Sequence, residues 1–315
     1  MALHRRPLLG AAIAFALPAQ AQPAWRPERP IQLWVGFAPG GTVDAMSRAV
    51  AQHIERSRGW VMPVTVRTGG AGVVMASALR TAPADGQTLG ATVSFALQLP
   101  ALTLAPPPYA LEDFALVSRL GRIELMLCAR TDGPLGSVPA LVEAARQRGQ
   151  LNVAVQGPEV TLGLLALARH LGVTLEPIPV RGGAEGLTQL LGGHVDAAIL
   201  AGVQAPAVRE GRLRELVALA GEPSRLTPTA PTLRALGLDL AIEPWLQIIA
   251  PRGVPRPAIE GIAAAIAEAL ADPEIRALAT ERLGIVPAFV GPAETEARAV
   301  EEAAMLRRLH AAFGR

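Results

Sequence analysis

The 315-residue sequence has no lysine; apart from five histidines, every basic residue is arginine. That absence excludes a Walker-type phosphate loop, Schiff-base and pyridoxal chemistry, and a Ser-Lys dyad, each of which needs a side-chain amine. Cysteine is nearly absent too. Cys128 stands alone, so no disulfide can form within the chain, and its place in the apolar run Leu125 to Ala129 predicts a buried, inert thiol. Aromatic residues make up 3% of the chain, which weakens a carbohydrate-binding reading, because sugars are commonly held on aromatic faces. His53, His170, His194 and His310 are scattered with no H-E-x-x-H spacing, so no metal and no cofactor is expected. No G-x-S-x-G elbow occurs, and Ser94 has no histidine beside it in sequence. Gly70-Ala71-Gly72-Val73-Val74-Met75 has Met75 where a dinucleotide fingerprint needs its third glycine.

Long unbroken apolar runs are also missing. Residues 1–21 combine His4-Arg5-Arg6, an apolar stretch from Pro7 to Leu17, and the small-x-small triplet Ala19-Gln20-Ala21, the pattern of a cleaved secretory signal. Its core falls short of the about 20 residues that span a bilayer, so cleavage after Ala21 is expected, by either the general or the twin-arginine export route. Farther on, apolar runs are interrupted by Arg, Glu, Pro or Gly, and a soluble exported protein is expected. Charge follows the same division. Basic and acidic residues number 29 and 27, and loss of Arg5 and Arg6 with the signal leaves 27 of each. The mature chain is neutral without a basic stripe, so nucleic acid is not an expected partner.

What the chain does have is Ala, Leu and Val in short runs that alternate with helical patterns, the mark of an α/β architecture. Strands are read near Ile31–Val35, Val61–Val66, Thr88–Val93, Leu125–Ala129, Asn152–Val155, Glu176–Pro179, Ala197–Leu200, Leu216–Leu219, Leu246–Ala250 and Val286–Phe289. Helices are read at Ala45–Arg56, Val73–Ala82, Val138–Arg148, Leu162–Leu171, Ala184–Leu191, Pro257–Leu270, Pro273–Leu283 and Glu294–Ala312. The last but one begins at Asp272-Pro273-Glu274, with Asp272 as the cap.

Phe37-Ala38-Pro39-Gly40-Gly41-Thr42-Val43-Asp44 joins the first strand to the first helix. Such a turn leaves unpaired N–H groups at a helix start, where the dipole favours an anion. Gln156-Gly157-Pro158-Glu159-Val160-Thr161 repeats the layout after Val155, which suggests two lobes facing one cleft. The order of elements predicts that the chain leaves the first lobe near Arg122–Cys128 and returns near Glu243–Ala250. The expected divisions are a signal at 1–21, first-lobe segments at 22–124 and 246–315, and a second lobe at 125–245.

The sequence resembles the periplasmic solute-binding proteins of tripartite tricarboxylate transporters, the Bug-type receptors, over nearly all of its mature length. The resemblance rests on Arg29-Pro30-Ile31 leading to Phe37-x-Pro-Gly-Gly-x-x-Asp44, Arg67 with Gly69 and Gly72, and Ala82-Pro83-Ala84-Asp85-Gly86-Gln87-Thr88-Leu89. It continues through Leu190-Leu191-Gly192-Gly193-His194-Val195-Asp196, Gly211-Arg212-Leu213-Arg214, Trp245, and Ala250-Pro251-Arg252-Gly253-Val254-Pro255 to Ala271-Asp272-Pro273-Glu274. It implies a type II clamshell of two α/β lobes with two crossing hinge strands. The clamshell would be a monomer that closes on a small organic acid and hands it to the membrane permease. By the same resemblance the ligand carboxylate meets the first loop, Phe37 to Thr42 with Pro39, Gly40 and Gly41, and the second-lobe loop, Gln156, Gly157 and Thr161, grips it from across the cleft.

Single residues carry further expectations. Thr42 is read as a helix cap; Asp44 either contacts the ligand or stabilises its own helix. Ser94 and Phe95 are expected at the cleft rim, Arg181 either binds a carboxylate or is solvated, and Trp245 is read as hinge packing. Glu159 departs from the resembled pattern and is read as facing solvent, the alternative being a ligand ammonium as its partner. Leu200-Ala201, where polar residues are usual in the family, points to a ligand with an apolar body and one carboxylate. A sensory protein presenting its ligand to a receptor kinase shares this chemistry, whereas a secreted esterase lacks an evident base.

Overall fold

A computed structural model describes residues 25–314; the expected signal and its cleavage site lie outside the described residues. The elements follow the alternation read from the sequence. They run β1 (Gln32–Val35), α1 (Thr42–Arg58), β2 (Val64–Val66), α2 (Val73–Leu79), β3 (Thr88–Val93), α3 (Ser94–Thr103), β4 (Phe114–Ile123) and β5 (Met126–Arg130). Then come α4 (Val138–Arg148), β6 (Leu151–Val155), α5 (Pro158–Leu171), β7 (Leu175–Pro179), α6 (Gly183–Leu191), β8 (Ala197–Leu200), α7 (Ala205–Arg209) and β9 (Leu213–Ala218). The chain ends with β10 (Trp245–Pro251), α8 (Arg256–Ala271), α9 (Pro273–Ala277), β11 (Ile285–Val290) and α10 (Pro292–Phe313).

Two sheets result, in the orders β11-β4-β10-β3-β1-β2 and β7-β6-β8-β5-β9. Apolar stripes of α1 and α8, among them Met46, Val50, Ile54, Ile262 and Ile266, cover one face of the first sheet, and α2 and α3 cover the other through Met75, Leu79 and Leu97. The second sheet is enclosed the same way, by α4 and α5 on one face and α6 and α7 on the other. Burial on both faces explains why Thr88–Val93 and Ala197–Leu200 are buried at every position and show no alternation of apolar and charged residues.

Three elements are absent from the sequence reading. The short helix α7 is one, and β4, with register partners in both β10 and β11, is another, its apolar pattern interrupted by Ser118, Arg119, Gly121 and Arg122. Helix α3 follows β3 without a break and carries Pro100 within it, so neither a cap nor a turn announces it. The helix expected at Pro273–Leu283 is α9 followed by a π-helical turn over Leu278–Arg282, and Asp272 caps it by accepting the Glu274 N–H at 2.7 Å.

β4 ends at Ile123 and β5 starts at Met126 in the other sheet; β9 ends at Ala218 and the chain re-enters the first sheet at Trp245. An ion pair from Arg122 on the outgoing segment to Glu243 on the returning one, at 3.2 Å, ties the two crossings together. Beside them the backbones of Gly202 and Gly284 touch. Both have positive φ, 86° and 65°, and a Cβ on Gly202 would lie 2.7 Å from Gly284 Cα.

Helix α10 spans both units. Its Ala299 packs with the α2 and α3 layer of the first sheet, while Leu306 and Leu309 belong to the α4 and α5 core of the second. Arg119 of β4, wholly buried, holds the middle of α10 through two bonds to Glu302, of 2.7 and 2.9 Å, and Gln98 of α3 donates to the same carboxylate at 2.9 Å. The Arg119 and Arg298 guanidiniums lie 5.4 and 5.5 Å from the Trp245 ring, which places Trp245 in hinge packing as expected.

Candidate functional site

Topology decides which loops meet. β1, β2 and β3 are parallel, so their carboxyl ends share one edge of the first sheet, the edge where β4 ends and β10 begins. β6, β7 and β8 are parallel as well, and Leu200 at the end of β8 pairs with Met126 at the start of β5. Both sets of strand ends therefore flank the same crossover. Ligands of open α/β sheets bind at such ends.

On the first edge, a Cβ built on Gly72 would touch Thr92 Oγ1 at 3.5 Å and the Phe37 ring at 3.6 Å, so the 36–41 loop, the turn before α2 and the end of β3 converge. Phe37, Gly41 and Thr42 are half-buried, and Pro39 and Gly40 are exposed. Gly41, not Thr42, is the N-cap of α1; Thr42 is the first helical residue and makes no capping bond. The loop's donors are also distributed differently from the sequence expectation. Gly40 N–H donates to Asp44 Oδ2 at 2.8 Å and Gly41 N–H donates to the Ala38 carbonyl at 3.2 Å. The first-turn N–H groups of Thr42 and Val43 have no partner within the helix and remain as donors at its start.

Asp44 belongs to the loop itself: it is 3% exposed, and Arg48 Nη2 lies 2.9 Å from its Oδ1. Burial pushes the Asp44 carboxyl up, but bonds from Arg48 and the Gly40 N–H outweigh it and hold the acid below its ordinary value. Of the two roles read for Asp44, bracing its own helix is the one its contacts fill.

On the second edge, Gln156 Oε1 lies 3.9 Å from Cβ atoms built on Gly182 and Gly183, and Val203, exposed, lies 3.2 Å from the latter. The loops after β6, β7 and β8 thus meet there. Thr161 is half-buried and Gly157 exposed; Thr161 donates both its N–H, at 3.2 Å, and its hydroxyl, at 3.1 Å, to the Gly157 carbonyl. Arg181 does not join this group. Its side chain is 93% exposed and paired with Glu185 at 3.0 Å, because the i,i+4 spacing offers it a near partner.

Three further expectations are corrected. Ser94 is fully buried rather than at the rim, and its Oγ accepts the Trp245 N–H at 3.2 Å, which fastens the start of β10 to the end of β3. Phe95 is buried in the core of the second unit, because α3 turns its apolar face that way. Glu159 does not simply face solvent: it is half-buried, its carboxylate curls back over Gly157 and bonds its own N–H, and desolvation pushes it up to about 7.

A carboxyl raised in the folded state makes the fold bind a proton that the unfolded chain has already released, so stability falls as pH rises from about 4.5 to about 7. Glu159→Gln is expected to flatten that fall, measured as urea midpoints across the interval; identical slopes for the two proteins would contradict the buried placement.

Cys128 is wholly buried, and burial, with Glu215 nearby, pushes its thiol well above its ordinary value, so it has no nucleophilic character. Sequence reasoning missed the Arg119, Glu302 and Gln98 cluster, whose members lie far apart in the chain. Arg119 set among Val117, Leu116 and Leu120 was the one available signal.

The family described as "Tripartite tricarboxylate transporter family receptor" matches residues 46–304. The protein BugT of Bordetella pertussis is 35% identical over 237 residues, covering 72% of each chain. Among solved structures, an adipate-bound protein of Rhodopseudomonas palustris superposes with a TM-score of 0.77 at 25% identity, covering 90% of this chain and 97% of that one. MatC of the same organism, with bound malate, gives 0.73 at 26% identity, covering 90% and 99%. With two α/β lobes, loops converging from both at one crossover and a family match over most of its length, this chain belongs to the receptors of the tripartite tricarboxylate transporter family.

Proposed function

We propose that the protein is an exported solute receptor, without catalytic turnover, that closes on a small organic carboxylate between its lobes and delivers it as a monomer to a tripartite tricarboxylate-type permease. The reading assigns 22–124 and 246–315 to one lobe and 125–245 to the other, with the signal removed near Ala21 and the protein working in the periplasm. The observation that carries it is the convergence of two strand-to-helix loops on one crossover, the first with free N–H groups at Thr42 and Val43. Malate and adipate in the two structural relatives supply the ligand class. Ligand binding energy offsets the cost of holding the lobes together.

The test is thermal unfolding of the chain from Gln22 onward against mono-, di- and tricarboxylates, amino acids and sugars. A ligand at a hundred times its Kd adds about 2.7 kcal/mol and raises the midpoint by several degrees. A shift confined to carboxylates supports the reading; a shift with sugars alone would remove it. The contact itself is tested by Gly41→Val. Gly41 has an extended backbone that any residue adopts, and its Cβ would meet only the Ala38 carbonyl, at 3.1 Å, so the loop must give by a few tenths of an ångström, and thermal midpoints check that the variant is folded. The added bulk beside the seat is expected to weaken carboxylate binding at least tenfold, about 1.4 kcal/mol. Unchanged affinity would move the seat elsewhere.

A further inference from the structure

The second-lobe loop has turned part of its donor set on itself. Pro158 has no N–H, Glu159's own carboxylate takes the Glu159 N–H, and Thr161 commits both its N–H and its hydroxyl to the Gly157 carbonyl. Both Glu159 oxygens lie within 2.7 and 2.9 Å of where a Cβ on Gly157 would sit, so the carboxylate covers the mouth of the helix where a ligand anion would approach. Among the described residues no Arg or His forms an ion pair with it, and the nearby Arg181 is held by Glu185. Leu200, read from the sequence as part of the cleft wall, is buried against α6, and the neighbouring Ala201 and exposed Val203 add no charge of opposite sign.

We infer that Glu159 acts as a built-in anion that fills the second-lobe seat, so that the receptor takes monocarboxylates with an uncharged or cationic far end and rejects dicarboxylates. This rests on the solute-receptor reading and deepens it: the first-lobe seat holds the ligand's one carboxylate, and Ala201 and Val203 offer the ligand body no charged partner. A second carboxylate brought to Gly157 would find no free hydroxyl donor at Thr161 and, above about pH 7 where Glu159 is ionised, a like charge within contact distance. Such a charge left in a closing, water-poor cleft selects by repulsion rather than by added attraction.

The experiment is calorimetric titration at pH 8, where Glu159 is ionised, of the mature protein, and of Glu159→Gln and Glu159→Ser, with straight-chain monoacids and diacids matched from three to seven carbons. For the wild type, at least one monoacid is expected to bind ten or more times tighter than the diacid of equal length. Both variants are expected to narrow that ratio at least tenfold, Gln by removing charge at constant size and Ser by also clearing space. Tighter binding of the matched diacid by the wild type would overturn the inference, as would a ratio unchanged in both variants. Failure of every acid in all three proteins, with thermal midpoints showing them folded, would overturn the receptor reading itself.

Discussion

Replacing Glu302 with alanine is expected to destabilise the protein by about 3–5 kcal/mol, the largest effect of any single truncation described above. Arg119 is wholly buried, and Glu302, 14% exposed, answers both of its terminal nitrogens. Without that carboxylate the guanidinium cannot reach water, and Gln98 loses its acceptor as well. The pair is not itself a large source of stability. Burial pushes the Glu302 carboxyl above its ordinary value even against Arg119 and Gln98, which means that desolvation costs more than these partners return. The double change Arg119→Met with Glu302→Leu is therefore expected to recover most of the loss. Urea midpoints of the three proteins decide the matter. A single variant within about 1 kcal/mol of wild type would show that Arg119 finds water or another partner.

The second large effect is expected at Gly202. Its alanine variant places a Cβ 2.7 Å from Gly284 Cα, a backbone atom that cannot rotate away, so the lobes must part at their contact. Carboxylate affinity is expected to fall at least tenfold, about 1.4 kcal/mol. Backbone strain alone must be subtracted, since Gly202 has a φ of 86°. Gly211 supplies the control: its φ is 70°, and nothing lies within 4 Å of the Cβ it would acquire. Gly211→Ala is expected to cost about 1–2 kcal/mol of stability from that strain and to leave affinity alone. Equal affinity losses in the two variants would show that the glycine contact has no part in closure.

Much of this architecture was legible in the chain. Short runs of Ala, Leu, Val and Ile marked Thr88–Val93 and Ala197–Leu200 to the residue, because strands buried on both faces carry no charged position to blur their ends. β4 was illegible for the opposite reason, since its Arg119 and Arg122 are paired with partners the sequence does not place beside it. At the site, position was legible and chemistry only partly so. A Pro-Gly-Gly turn between strand and helix announces a helix start, yet it does not say that Gly40 will donate to Asp44 or that Gly41 will cap the helix. Ser94 and Phe95 show the same limit. Standing just past a strand end predicts closeness to the cleft, and only the continuation of α3 turns both side chains inward. Glu159 was misread because a first-turn acid ordinarily sits in water, and here a glycine before it lets the carboxylate fold back.

The C-terminal helix gives the molecule a mechanical character that two crossing strands alone would not. Strands such as those leaving Ile123 and entering Trp245 permit rotation about themselves, as a door turns on its pins. Helix α10 lies across both leaves, clamped to one by Glu302 and seated in the other by Leu306 and Leu309. Rotation therefore drags these two leucines over α5, and the travel ends where they would be pulled into water. Any rotation between the lobes is thereby coupled to a sliding of α10 against α5.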